Sequence, residues 1–313
     1  MIQVSSPGKI HLIGEHSAVY GKPAILAAIN LRFYATISKS NEKEIIGITQ
    51  YDNAIQNFQT NLEKIVSEKF KINEIPNYKI EFRNEIPIGS GLGSSAAFCA
   101  IFSLSLLEFL HIKWDLDLVN ELTFEGEKIF NGNPSGGDNN TVVFGGLIWF
   151  KKETDNLKTF TPLSFTNLKN IILIDSGRPT ESTADMVTLT SLRAKRGNPS
   201  FNKIIDDQES LAKEMAQVLK DGDEKKLMQI IRKAEINLEK LGVVSKSTKA
   251  IIRKIENLNG AAKISGAGGI KTGSGMILAF HKDPNILIKF ATADNLRYYS
   301  TQISNEGIRI ENE

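Results

Sequence analysis

Apolar residues recur along this chain with two periods, and the switch between them outlines the elements. Residues 2–5 and 9–13 alternate or cluster apolar side chains about Pro7-Gly8, which predicts two short strands joined by a turn. Ala24–Ile29 is small and apolar, and Phe33–Ser38 alternates as a strand does. Ile55–Phe70 carries the helical period, and Tyr78–Phe82 returns to alternation. A glycine-rich run, Ile86 to Ser95, then enters an apolar helix that reaches about Leu110. A second helix is predicted over Leu116–Phe130, stopped by Asn131-Gly132-Asn133-Pro134. Thr141–Phe150 reads as a strand or a strand pair about Gly145-Gly146.

The second half alternates strands and helices. Lys151–Leu157 is polar and suits a hairpin or a domain junction, and Ile171–Ile174 has the composition of a buried strand. Residues 189–202, with Arg193, Lys195 and Arg196, read as a mobile basic loop. Two helices fill Lys203–Leu241 around Asp221-Gly222-Asp223, and a short one covers Lys249–Leu258. Strands follow at Ala261–Ile264, Met276–Phe280 and Tyr298–Ile303, with a helix over Asn285–Thr292 between the last two. The whole reads as an α+β protein. No internal repeat emerges; Gly132-Asn133-Pro134-Ser135 returns at 197–200 with different flanks, a chance echo.

Length and composition narrow the classes. A chain of 313 residues suits about two domains, and 41% hydrophobic residues allow a sizeable core. A net charge of only +2 argues against a nucleic-acid partner. Cys99 is the sole cysteine and lies in an apolar run, so it reads as a buried structural thiol. The first residues lack the basic start and long apolar core of a signal peptide. The most apolar stretch, Ala96–Leu110, is interrupted by Ser103, Ser105 and Glu108 and is too short to span a bilayer. The expectation is a cytoplasmic protein without a membrane partner.

The candidate chemistry lies in three places. Gly89, Ser90, Gly91, Leu92, Gly93, Ser94 and Ser95 sit between a strand-like run and an apolar helix. Glycines there let an anion approach backbone amides, and the helix start adds unpaired N–H groups, together a phosphate cradle. The serines add hydroxyls suited to Mg²⁺. The spacing is neither the dinucleotide fingerprint nor a P-loop, and a plain turn with a helix cap fits this loop equally well. Asp138 follows the small-residue loop 133–137, where backbone packs closely around a ligand, and Glu127 lies near the end of the preceding helix; taken singly, each also suits a solvated acid. Lys9 follows Pro7-Gly8 inside an apolar strand, as either a strand-edge charge or a pocket cation, and His16 suits orienting a substrate oxygen or a fixed structural contact. His11, His111 and His281 lack metal-ligand spacing and receive no role.

Taken together, these segments resemble a known family. Pro7 to His16 with Val19 to Ala24 resembles the first motif of mevalonate kinases. Ile86 to Ala97 resembles the phosphate-binding motif of the wider family of galactokinases, homoserine, mevalonate and phosphomevalonate kinases (GHMP kinases). Glu125 to Lys128 followed by Gly132 to Asn139 resembles the segment bearing metal ligand and base, and Lys263 to Gly269 resembles the C-terminal glycine motif. The motifs stand in the family's order along nearly the whole chain.

The resemblance implies two domains, residues 1–160 of the ribosomal-protein-S5-domain-2 type and 161–313 ferredoxin-like, with the active site in the cleft between them. It implies an ATP- and Mg²⁺-dependent kinase acting on mevalonate, in a family often dimeric. By matched position, Asp138 is the catalytic carboxylate and Lys9 the cation beside it. Glu127 and Ser95 ligate Mg²⁺, with Ser94 second for the serine role. Gly89, Ser90, Gly91, Leu92, Gly93 and Ala96 line the triphosphate. Glu15, His16, Ser265 and Gly266 position the substrate, and Gly266, Gly268 and Gly269 stabilise the triphosphate loop or close on substrate.

Two departures stand out. Asn131 occupies a position where many mevalonate kinases have histidine, and the third motif runs on through Ile270–Gly275 before its strand. Lys271 in that extension reads as a solvated lysine or as an extra anion contact. A phosphomevalonate kinase, and a ligand sensor on the same fold, remain alternatives.

Overall fold

The computed structural model describes residues 1–48, 52–132, 134–154, 157–165, 170–195 and 199–311. Two sheets organise them. The first is built on two long antiparallel strands, β1 (Ile2–Ile13) and β2 (Ala24–Lys39), paired from Ile2↔Ile37 to Ile13↔Ile25. A short 3-10 turn (Ser17–Tyr20) joins them. Beyond β2 lies β4 (Tyr78–Asn84), with β3 (Glu44–Ile46) parallel at its outer edge. The N-terminal end of β2 pairs instead with β5 (Leu147–Lys152), which pairs with β6 (Lys158–Pro162). The second sheet has the order β10-β7-β9-β8, all antiparallel, from β7 (Ile171–Asp175), β8 (Ala261–Ser265), β9 (Met276–Phe280) and β10 (Tyr298–Thr301). The chain then returns to the first sheet, where β11 (Arg309–Ile310) pairs with β1.

The helices cover these sheets. In the first half they are α1 (Asp52–Phe70), α2 (Ser94–Phe109), α3 (Leu116–Asn131) and α4 (Gly137–Phe144). Helix α2 is apolar all round because it packs against β1, β2, α3 and α4 at once. Phe98 and Phe102 on α2 meet Phe58 of α1, Phe82 of β4 and Phe130 of α3 in one aromatic cluster. Helix α3 approaches α2 closely at Gly126, where an added Cβ would stand 2.3 Å from the Phe58 ring and 2.9 Å from Cys99 Sγ. That close approach draws the neighbouring Glu127 into the interior, and Cys99 is buried as its apolar setting predicts.

In the second half α5 (Thr183–Lys195), α6 (Pro199–Asp221), α7 (Glu224–Leu241), α8 (Lys246–Asn257) and α9 (Pro284–Ala293) accompany the four-stranded sheet. Ile172, Ile174, Ile264, Ile277 and Leu238 belong to a separate apolar core there. Among the described residues no helix is long and apolar enough to cross a membrane.

The structure corrects four readings of the pattern. Pro7-Gly8 is not a turn: β1 runs through it, with register shifts at Pro7/Gly8 and again at His11/Ile13. A bulge tolerates proline's missing donor and re-aims the residues beside it, here Lys9 to His11. Likewise Ala24–Ile29 and Phe33–Ser38 are one strand. Thr141–Phe144 is helical despite its β-branched residues, since Thr141 Oγ1 returns to the Gly137 carbonyl at 2.7 Å and tertiary burial overrides propensity. Residues 189–195 and 199–202 close α5 and open α6 rather than form a loop, with Met186 and Thr190 buried and the Arg193 guanidinium donating to the Leu241 carbonyl. Arg196 and the loop's centre, 196–198, lie outside the described residues, as does Asn133. The polar stretch after β5 leads to β6, which pairs back on β5 antiparallel with Lys152 opposite Lys158; residues 155 and 156 lie outside the described residues.

Candidate active site

Gly89, Gly91 and Gly93 adopt left-handed backbone, with φ of 72°, 77° and 73°. Left-handed residues at every second position curl the loop so that successive N–H groups converge, the geometry that receives an anion. Gly93 ends the loop at the N-terminus of α2, where no side chain caps the helix, so the positive end of the helix faces the same space. Leu92 is buried and its carbonyl accepts from the Lys9 amide at 2.9 Å. A Cβ on Gly93 would lie 2.7 Å from Lys9 Cγ, so the loop and the lysine fit only because this residue has no side chain.

Lys9 Nζ stands 3.1 Å from Asp138 Oδ2. Asp138 occupies the first turn of α4, just after the left-handed Gly136. Only 3% of the Lys9 side chain is exposed against 32% of Asp138's, so the carboxylate is the partner open to an incoming molecule. Lys9 Nζ also lies 3.1 Å from His11 Nδ1, two residues along the same strand and hence on the same face.

A second cluster lies beside this pair. Glu127 is buried on α3 and accepts from Asn131 Nδ2 at 3.1 Å through Oε2, while Oε1 has no protein partner. The same Asn131 nitrogen lies 3.4 Å from Ser95 Oγ. Burial, and then the negative charge of Asp138, push the Glu127 carboxyl up to about 7; the Ser95 hydroxyl, the Asn131 amide and Lys9 pull the other way. Thus α2, α3, α4 and β1 bring Ser95, Glu127, Asp138 and Lys9 into one electrostatic group. No set of three or more His, Cys, Asp or Glu residues suited to a metal occurs among the described residues. A cation here would rely on the Glu127 carboxylate and the Ser95 hydroxyl, hard oxygen donors that suit Mg²⁺.

The third motif packs behind and beside the loop. Ser265 Oγ, at the end of β8, accepts from the His11 amide at 3.0 Å. A Cβ on Gly91 would meet the Ser265 carbonyl at 3.1 Å, so the two glycine motifs touch. Gly266 has φ of 114° and carries the chain away from the strand. His16 Nε2 bonds the Ala267 carbonyl at 2.9 Å; its Nδ1 is buried without a protein partner, and burial lowers its pKa. Glu15 does not open onto the loop: its side chain is fully buried and paired with the equally buried Lys263. Lys263 also reaches the Ile264 carbonyl at 2.7 Å and the His11 carbonyl at 3.4 Å. Below it, Glu235 on α7 accepts from the Ile264 amide at 3.0 Å, and burial pushes its carboxyl up to about 8.

A cleft of about 520 Å³ opens between Gly89–Gly91, the segment 178–183 after β7, and the third motif with Ser265, Gly268 and Gly275. That volume suits a small molecule. Arg178 lines it beside the glycine loop: a Cβ on Gly89 would come 3.3 Å from the guanidinium carbon. From the extension Ile270–Gly275, Ser274 and Gly275 line the cleft, while Lys271 is solvent-exposed and its amide bonds Glu181 at 3.2 Å.

The pattern reading singled out neither His11, Arg178, Lys263 nor Glu235. A two-residue spacing from Lys9 was the available signal for His11. A basic residue after a buried strand, in Ser176-Gly177-Arg178-Pro179, was the signal for Arg178. Lys263 lay within a recognised motif, but its partner Glu15 is 248 residues away.

Comparison with known proteins agrees with this geometry. A family model for the GHMP kinase N-terminal domain matches residues 56–146. A mevalonate kinase of Archaeoglobus fulgidus is 32% identical over 272 residues, covering 85% of this chain and 88% of the relative. One from Thermococcus gammatolerans is 29% identical over 346 residues, covering 99% and 98%. The crystal structure of L. major mevalonate kinase in complex with R-mevalonate superposes with a TM-score of 0.83 at 22% identity, covering 97% of this chain and 96% of that one.

Proposed function

The chain belongs to the mevalonate kinases of the GHMP family, and from that membership we propose how its residues divide the work. The reaction is ATP-dependent phosphorylation of mevalonate, at the C5 hydroxyl. The observation that carries the assignment of roles is the 3.1 Å contact between Lys9 and Asp138 beside a ring of backbone amides.

In this reading Asp138 receives or orients the proton of the acceptor hydroxyl, since its carboxylate is the exposed member of the pair. Lys9 stabilises the charge that gathers on the acceptor oxygen and on the phosphoryl group in transit. The new bond joins that oxygen to the γ-phosphorus, the bridging P–O bond breaks, and ADP departs. The amides of Gly89 to Ala96 and the N-terminus of α2 hold the triphosphate. Ser94 and Ser95 stand at the helix mouth.

Ser95 and Glu127 are the residues that would hold Mg²⁺, and the fit rests on Glu127 Oε1, a buried acceptor that no protein group satisfies. When bound, the ion supplies neutralisation of the triphosphate's charge. Asn131 steadies both side chains from where it stands. Ser265 lines the cleft and would border the substrate with Gly266 beside it; His16 supports that loop through the Ala267 carbonyl, and Glu15, sealed against Lys263, serves the site only by holding the strands around it in place. Residues 1–160 then form the bulk of the nucleotide-binding domain and 161–313 the second domain, except that β6 runs on to Pro162 and the tail returns β11 to the first sheet.

A substrate panel tests the reading. Purified protein with ATP and Mg²⁺ is expected to release ADP with mevalonate. Turnover of phosphomevalonate, galactose or homoserine in its place would overturn the substrate assignment.

A further inference from the structure

Among the described residues, His11 is the histidine whose ring meets Lys9. Lysine's ammonium has three N–H donors and no acceptor, so at 3.1 Å Nδ1 must be the acceptor and the ring proton sits on Nε2. Asp138 Oδ2 also lies 3.1 Å from Nζ as an ion-pair contact, so the ammonium is hydrogen-bonded to the imidazole on one side and drawn to the carboxylate on another. Without the imidazole the ammonium would keep only the ion-pair contact, about which a flexible lysine can swing.

The His11 backbone is held from the opposite sheet. The His11 amide donates to Ser265 Oγ at 3.0 Å, and the His11 carbonyl receives Lys263 Nζ at 3.4 Å. The two register shifts of β1 bracket Lys9 and His11, so both side chains leave an irregular stretch whose direction β8 helps to set. Burial first, then the positive charges of Lys9 and Lys263 and the neighbouring His16, lower the His11 pKa well below 6.5. Asp138 and Glu15 are the counter-charges, each bound to one of those lysines. The imidazole therefore keeps its Nδ1 lone pair throughout the neutral range.

We propose that His11 is a positioning residue for phosphoryl transfer, its Nδ1 holding the Lys9 ammonium beside the Asp138 carboxylate and so in place toward the reacting oxygens. The proposal rests on the reading of Lys9 given above. A filler role for the ring would require only its volume. A positioning role requires an acceptor at the δ position, which asparagine supplies and leucine does not.

The test compares His11→Asn and His11→Leu with the intact chain by ADP release, thermal melting and ¹⁵N spectroscopy of the labelled imidazoles. The leucine variant is expected to lose roughly 10-fold in kcat, with KM for both substrates within about twofold, and the asparagine variant to recover to within about threefold of the parent. In the parent, the His11 ¹⁵N shifts are expected to report an unprotonated Nδ1, and Lys9→Met is expected to move them. The proposal is overturned if the leucine variant keeps its kcat or if Nδ1 carries the proton. It is equally overturned if the asparagine variant falls as far as leucine while melting like the parent. Should the leucine variant fail to fold, the asparagine variant and the parent's spectrum decide. A Lys9→Met variant that stays active would overturn the reading of Lys9; an inactive Lys9→Met beside a fully active His11→Leu would overturn this inference alone.

Discussion

Two buried lysines among the described residues meet carboxylates, and their surroundings give them opposite duties. Lys263 and Glu15 are both sealed from solvent, and the lysine's remaining donors reach backbone carbonyls of β1 and β8. Lys9 is nearly as buried, yet its partner Asp138 keeps a third of its side chain exposed. A sealed pair has no room to exchange partners, so its role is to join the two sheets. The half-open pair can admit a hydroxyl at the carboxylate without losing the ammonium's fixed position. Removing one member should accordingly damage function at one site and folding at the other.

The largest expected effect is on the open pair. Asp138→Asn is expected to lower kcat by ~1000-fold, the range for losing a proton acceptor, while nucleotide affinity and the melting temperature stay near the parent's. Calorimetric ATP titration with ADP-release kinetics would check this, and a variant with near-normal kcat would erase the contrast between the pairs.

The sealed pair should respond the other way. Lys263→Met leaves Glu15 buried without its counter-charge, and is expected to cost about 3–5 kcal/mol of stability by urea denaturation. Its folded fraction should retain far more activity than Asp138→Asn. Equal stability of this variant and the parent would mean that the pair does not join the sheets.

The smallest effect sharpens the sealed side. Glu235 lies beside Lys263, and burial raises its carboxyl from 4.5 to about 8. A raised carboxyl pKa means that the folded state holds a proton the unfolded state has already released. Its contribution is therefore complete below pH 4.5 and is lost as pH rises through about 8. Glu235→Gln is expected to gain at least about 1 kcal/mol over the parent at pH 8.5 relative to pH 5.5, read from urea midpoints. A variant tracking the parent at both pH values would remove Glu235 from the network.

Much of this was legible in the chain. The helices α1 and α3, read from their period, the apolar α2, and the buried strands β7 to β9 stand where the pattern of apolar residues placed them. The glycine spacing at 89, 91 and 93 foretold a curled loop before a helix, because few other residues take φ near 75° without strain. The misreadings share a cause. Thr141–Phe144 and residues 189–195 were judged on local composition, while packing against the rest of the molecule decided their form.

What the sequence by itself determined is the order of motifs and the residue types that phosphoryl transfer needs, since local spacing dictates where a glycine loop or helix start can form. What only the tertiary structure decided is which charges meet. Lys9 finds Asp138 across 129 positions, Glu15 finds Lys263 across 248, and His11 becomes Lys9's hydrogen-bond acceptor between two irregularities in one strand. Contacts so distant along the chain depend on strand register and helix docking, and those follow from burying apolar surface throughout the molecule rather than from any short stretch of it.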